Sequence, residues 1–141
     1  MKTVQFSLNN IDKVVECFLN DIQTVSVIAF VGDLGAGKTT FIREILAYWC
    51  FKGLVQSPTF AYLNVYSLDN GKVVYHFDLY RLKNLLEFET MGFSEYLYQP
   101  NSIVLIEWPE IIKDIIDKDS CFVELAILGQ GERKLKYSVK R

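Results

Sequence analysis

The sequence predicts an α/β domain of the P-loop NTPase kind, a three-layer fold whose mixed sheet has a parallel centre and antiparallel edge hairpins. Three observations carry that prediction. The apolar run Val27-Ile28-Ala29-Phe30-Val31 leads directly into Gly32-Asp33-Leu34-Gly35-Ala36-Gly37-Lys38-Thr39, which fits the phosphate-loop pattern G-x-x-x-x-G-K-[ST]. A second run, Ile103-Val104-Leu105-Ile106, has the continuous apolar character of a strand buried on both faces. Stretches of alternating character flank Asp69-Asn70-Gly71 and Gly129-Gln130-Gly131, as the strands of hairpins do.

The remaining elements follow in chain order. Val4 to Ser7 reads as a short first strand, and Asn10 is placed to cap a helix whose apolar residues Ile11, Val14, Val15, Phe18 and Leu19 recur at helical spacing. Val25 to Val31 is the central strand, and Lys38 to Cys50 the helix that follows its loop. Ala61 to Ser67 and Lys72 to Asp78 form the first hairpin. Leu85 to Tyr98 reads as one or two short helices broken near Gly92, and Ile111 to Ile116 as another short helix. Phe122 to Leu128 and Lys134 to Val139 close the sheet as a second hairpin.

Composition sets the outer limits. With 141 residues, 50% hydrophobic and 23% charged, residues 1–141 are expected to form a single domain with an ordinary core. No apolar run approaches the roughly 20 residues needed to span a bilayer. The first residues lack the apolar core of a signal peptide, so a cytoplasmic location is expected. Cys17, Cys50 and Cys121 are widely spaced without a C-x-x-C, which suggests reduced, mostly buried thiols. A net charge of −2 gives no general field for nucleic acid.

The chemistry concentrates in the glycine loop. Glycines let successive backbone amides of residues 33–39, among them Asp33, Gly35, Ala36 and Gly37, turn inward on a polyphosphate, and the following helix adds its dipole and unpaired first amides. Lys38 supplies a mobile positive charge for the β and γ phosphates, and Thr39 a hydroxyl ligand for Mg2+. The glycine spacing does not fit the dinucleotide fingerprint G-x-G-x-x-G. Such a loop needs an acidic partner on a neighbouring strand. Two strands end in one: Glu107 follows Ile103 to Ile106, and Asp78 follows Val73-Val74-Tyr75-His76-Phe77. Ser57-Pro58-Thr59-Phe60 lies where many triphosphatases place a γ-phosphate sensor, and Thr59 offers a hydroxyl to metal or water; a plain turn is the alternative.

Taken together, Gly32 to Thr40, Ser57 to Phe60, His76-Phe77-Asp78-Leu79-Tyr80-Arg81-Leu82, Glu89 with Met91-Gly92, and Ile106-Glu107-Trp108-Pro109-Glu110 resemble the TsaE (YjeE) family of small bacterial ATPases. The likeness runs through essentially the whole chain. It implies a mixed-sheet P-loop fold, slow Mg2+-dependent ATP hydrolysis, and a part in making threonylcarbamoyladenosine at position 37 of tRNA. It also implies partners similar to TsaB and TsaD, with tRNA met only indirectly through that complex. By motif, Lys38 and Thr39 hold phosphates and metal, and Thr40 touches the α-phosphate side. Thr59 belongs to a switch segment, Asp78 positions water or acts as base, and Glu107 stands on the metal side. Trp108 lies near the nucleotide, with plain packing as the alternative, whereas His76 and Arg81 read as structural.

Two other classes remain open from the residues: a small-metabolite kinase and a nucleotide-gated binding module. A kinase lid usually carries several arginines, and only Arg43, Arg81, Arg133 and Arg141 follow the loop. No Asn-Lys-x-Asp segment suggests guanine specificity. The stretch from Glu132 to Arg141 holds five basic residues in ten; Lys134 and Lys136 on one strand face suit a solvated edge, with contact to tRNA as the sharper alternative.

Overall fold

A seven-stranded sheet in the order β1-β7-β6-β2-β5-β4-β3 organises the molecule. The computed structural model describes residues 1–58 and 61–141, so the expected site residue Thr59 lies outside the described residues. The strands are β1 (Lys2–Phe6), β2 (Val27–Val31), β3 (Leu63–Ser67), β4 (Val73–Asp78), β5 (Ser102–Glu107), β6 (Ser120–Gly129) and β7 (Glu132–Lys140). β4, β5, β2 and β6 run parallel, whereas β3, β7 and β1 pair antiparallel. The parallel centre and both hairpins match the expected architecture.

Burial explains the arrangement. Val27, Ile28, Ala29 and Phe30 of β2 are all fully buried, because helices cover both faces of the central strands. On one face lie α1 (Ile11–Asp21) and α2 (Lys38–Tyr48), where Phe41 touches the rings of Phe6, Phe18 and Phe30 at centroid distances of 6.0, 5.5 and 6.0 Å. On the other, α3 (Leu85–Thr90) and two 3₁₀ turns, Phe93–Tyr96 and Pro109–Ile115, pack Phe88, Phe93 and Ile112 onto Phe77, Val104 and Ile106. Gly92, with φ +80, separates α3 from the first turn.

Several local expectations are corrected. Asn10 stands at the start of α1, but its side chain reaches back to accept from the Ser7 amide at 2.9 Å and makes no forward cap. The unremarked Asn84 does cap: its Oδ1 accepts from the Glu87 amide at 2.9 Å, and Glu87 reaches back to the Lys83 amide. The short helix expected at Ile111 to Ile116 is present as a 3₁₀ helix that starts earlier, at Pro109, and ends at Ile115. Strand β7, carrying Lys134 and Lys136, lies inside the sheet between β1 and β6, so it is no edge. Of the thiols only Cys121 is buried, and burial pushes it up to about 12; Cys17 and Cys50 are exposed.

Candidate nucleotide site

The glycine loop is shaped by what lies around it. A Cβ on Gly32 would sit 2.6 Å from the Leu125 carbonyl oxygen of β6, so the neighbouring strand demands glycine there. Gly35 and Gly37 adopt φ of +80 and +102, the left-handed region that side chains disfavour. The Ala36 amide donates to the Asp33 carbonyl at 3.0 Å, and the Phe41 amide to Gly37 at 2.9 Å, which starts α2 directly at Lys38. The first amides of α2 thus remain available at the loop.

Lys38 is only 5% exposed and folds back over the loop. Its ammonium donates to the carbonyl oxygens of Gly32 and, at 3.1 Å, Asp33, and lies 4.0 Å from the centre of the Trp108 ring. Burial pushes it below the ordinary lysine value, against the raising pull of Glu107, Asp78, Glu110 and Asp33. Those carbonyls and the indole face hold the charge over the loop despite its burial.

Sheet register assembles the acidic side. Asp78 of β4 pairs with Glu107 of β5, and Glu107 with Phe30 of β2, so both carboxylates end adjacent parallel strands beside the loop. Glu107 is 3% exposed; its Oε1 accepts from the Thr39 hydroxyl at 2.8 Å, and its Oε2 meets His76 Nε2 at 2.7 Å. Asp78 accepts from the Ser57 hydroxyl at 2.7 Å through Oδ2 and from the Tyr80 amide at 3.1 Å through Oδ1. Trp108, at φ +59, turns its ring over Lys38 and against Tyr80, 4.8 Å away.

Most of the expected residues that the structure describes gather in one place. Gly35, Gly37, Lys38, Thr39, Thr40, Asp78, Glu107 and Trp108 line a cleft of about 280 Å³ together with Leu34 and Ser57. Asp33 and Ala36 lie on the outer side of the same loop, Asp33 exposed and Ala36 buried. Arg133 braces that side, donating from Nε to the Ala36 carbonyl at 3.1 Å, whereas Arg141 reaches Thr24, before β2 begins. His76, read from sequence as structural, joins the site through Glu107. Its alternation with Phe77 was the available signal: residues 76 and 78 of one strand share a face.

The strand, the glycine loop, the helix beginning at Lys38 and the carboxylates on adjacent strand ends place the chain among α/β proteins of the phosphate-loop kind. Comparison with known proteins narrows this. The family model described as "Threonylcarbamoyl adenosine biosynthesis protein TsaE" matches residues 6–135. Proteins named tRNA threonylcarbamoyladenosine biosynthesis protein TsaE are similar: that of Rickettsia typhi is 39% identical over 82% of this chain and 79% of its own length. That of Borreliella burgdorferi is 44% identical over 71% of this chain and 72% of its own. The crystal structure of Bacillus subtilis YdiB matches the fold with a TM-score of 0.73 at 22% identity, over 99% of this chain and 87% of that one. The chain belongs to the TsaE family.

Proposed function

We propose that this protein binds ATP with Mg2+ and hydrolyses it slowly, as the accessory ATPase of a TsaB–TsaD-like complex that makes threonylcarbamoyladenosine in tRNA. The observation that carries the reading is the 2.8 Å hydrogen bond from Thr39 to Glu107, which brings the loop hydroxyl and the strand-end carboxylate together beside Lys38. Both are hard oxygen donors, the kind Mg2+ takes, with water and phosphate oxygens completing its shell. Among the described residues no cluster of three His, Cys, Asp or Glu would hold a metal by side chains alone. Bound Mg2+ neutralises charge on the phosphoryl group during transfer.

The chain's own residues divide the remaining work. Lys38 exchanges its two carbonyl partners for phosphate oxygens, and the amides at the start of α2 hold the others. Thr40 borders the α-phosphate side of the cleft, and Trp108 roofs the lysine. Asp78, held by Ser57 and Tyr80, is the group to orient the attacking water; Thr59 is the further hydroxyl assigned to the neighbouring segment. Binding to partners supplies what the isolated cleft lacks in order or charge.

Calorimetry with ATP, in Mg2+ and in EDTA, tests the first half of the reading. Binding that is absent in wild type, or unchanged by Lys38→Ala, refutes it. The second half is tested by assaying tRNA modification over many turnovers with and without this ATPase, and full modification in its absence refutes that assignment.

A further inference from the structure

Behind Glu107 runs a line of buried polar groups that the proposed hydrolysis does not itself require. His76 has no exposed surface. Its Nε2 meets Glu107 Oε2 at 2.7 Å, and its Nδ1 meets the Tyr66 hydroxyl at 3.2 Å. A carboxylate only accepts, so Nε2 carries a hydrogen and donates to Glu107, while Nδ1 is partnered by the Tyr66 hydroxyl, which also lies 3.4 Å from the Gln56 carbonyl. Asn64 Nδ2 then donates both to the Tyr66 oxygen, at 3.3 Å, and to the Gln56 carbonyl, at 3.0 Å. The line is continuous from Thr39 through Glu107, His76, Tyr66 and Asn64 to the backbone of Gln56.

Sheet register makes it possible. Asn64 pairs with His76, Tyr66 with Val74, and His76 with Leu105, so residues 64 and 66, 76 and 78, and 105 and 107 all face the α2 side. A buried histidine that merely filled space would be replaceable by an apolar residue. Here both ring nitrogens are partnered, and Oε2 of a nearly buried carboxylate would otherwise lack its hydrogen-bond donor. The ring occupies one oxygen of Glu107 and leaves the other aimed at Thr39.

The far end of the line matters as much. Gln56 precedes Ser57, whose hydroxyl is bonded to Asp78 at 2.7 Å. Two successive residues of this loop are thus pinned to the two strand-end carboxylates, Ser57 directly and Gln56 through Tyr66 and His76, with Asn64 bridging Tyr66 and Gln56 beside them. We propose that His76 and Tyr66 are positioning residues, which fix the orientation of Glu107 toward Thr39 and couple that orientation to the loop at Gln56 and Ser57. This rests on Glu107 serving the metal side of the nucleotide site. Rotation of Glu107 breaks the line at its start; outward movement of the loop breaks it at its end.

The test begins without nucleotide, which separates it from the functional reading. His76 is the sole histidine of the chain, so its two ring nitrogens give an isolated signature in 15N-resolved NMR. Glu107→Gln is expected to move the Nε2 signal and Tyr66→Phe the Nδ1 signal. With Mg2+ and a non-hydrolysable ATP analogue, His76→Leu is expected to reduce the Mg2+-dependent gain in affinity roughly 10–100-fold, as loss of a ligand's orienting partner does, and to leave affinity in EDTA unchanged. His76→Gln, which keeps a donor toward Glu107, should recover most of it. In Tyr66→Phe, hydrogen exchange at Gln56 and Ser57 should no longer respond to the Mg2+ complex. Ring signals that ignore both Glu107→Gln and Tyr66→Phe would overturn the proposal, as would equal losses of affinity with and without Mg2+ in His76→Leu. If wild type bound no nucleotide, the functional reading would fall and the nitrogen signals alone would decide.

Discussion

Lys38 carries a conflict between folding and function in a single side chain. Its ammonium is buried against carbonyls and an indole ring, and burial lowers its pKa from the ordinary 10.5. Below the lowered value both folded and unfolded chains are protonated, so the protein bears the full cost of burying the charge. Between that value and 10.5 the unfolded chain binds more protons, and stability from this group rises with pH. The difference in urea midpoint between wild type and Lys38→Met should therefore shift in favour of wild type as pH rises toward 10.5, while the variant loses ATP binding at every pH. A pH-independent difference would show that the amine is not desolvated in the folded state. The proposed function gives the two carboxylates different roles, which substitution tests. Glu107→Gln should weaken Mg2+-dependent binding, whereas Asp78→Asn should bind normally and lose about 10²-fold or more in turnover, the scale of removing one preorganised group. Equal binding losses in the two variants would refute that division.

Among the elements, α2 links core and site, since Lys38 and Thr39 face the cleft while Phe41, Ile42, Ile45 and Leu46 are fully buried. Phe41→Ala should destabilise the fold by about 3–5 kcal/mol in denaturant titration, because three rings lose their shared neighbour. Thiol reagents should label Cys17 and Cys50 in the native protein and Cys121 only after unfolding; rapid native labelling of all three would contradict the packing of β6. The loop and both strand-end carboxylates were legible in sequence because their signals are local: an apolar run, then a glycine or an acid. The bond between His76 and Glu107 was not legible, since it joins residues 31 apart and depends on the register of β4 against β5. The burial of β7 was equally hidden, because alternation reports a strand's two faces and says nothing of its neighbours. Asn10 misled for a different reason: an asparagine at a helix start has two backbone directions to satisfy, and here the turn at Ser7 took it.

At the scale of the whole molecule, the arginines bear on partnership. Arg43 donates to the Val55 carbonyl at 3.5 Å, Arg133 grips the outer side of the loop, and Arg141 is bonded at the far end of β2. Charge on a transferring phosphoryl group is commonly stabilised by an arginine that can be supplied by another protein. Adding a TsaB–TsaD-like complex is therefore expected to raise phosphate release several-fold or more and to increase exchange protection from Gln56 to Ser57. No complex and no change in rate would return the small-metabolite kinase reading to consideration.

The brace on the glycine loop comes late in the chain. Gly32 is backed by Leu125, and Ala36 is gripped by Arg133, 97 positions downstream. Strand β1 waits equally on β7, whose Tyr137 also reaches back 116 positions to Asp21. Contacts of such separation are closed against chain entropy and slow the search for the native state. A polypeptide emerging from the ribosome would thus carry the glycine loop long before it had the floor beneath it, so the loop takes its final shape with the β6–β7 hairpin and not with the motif.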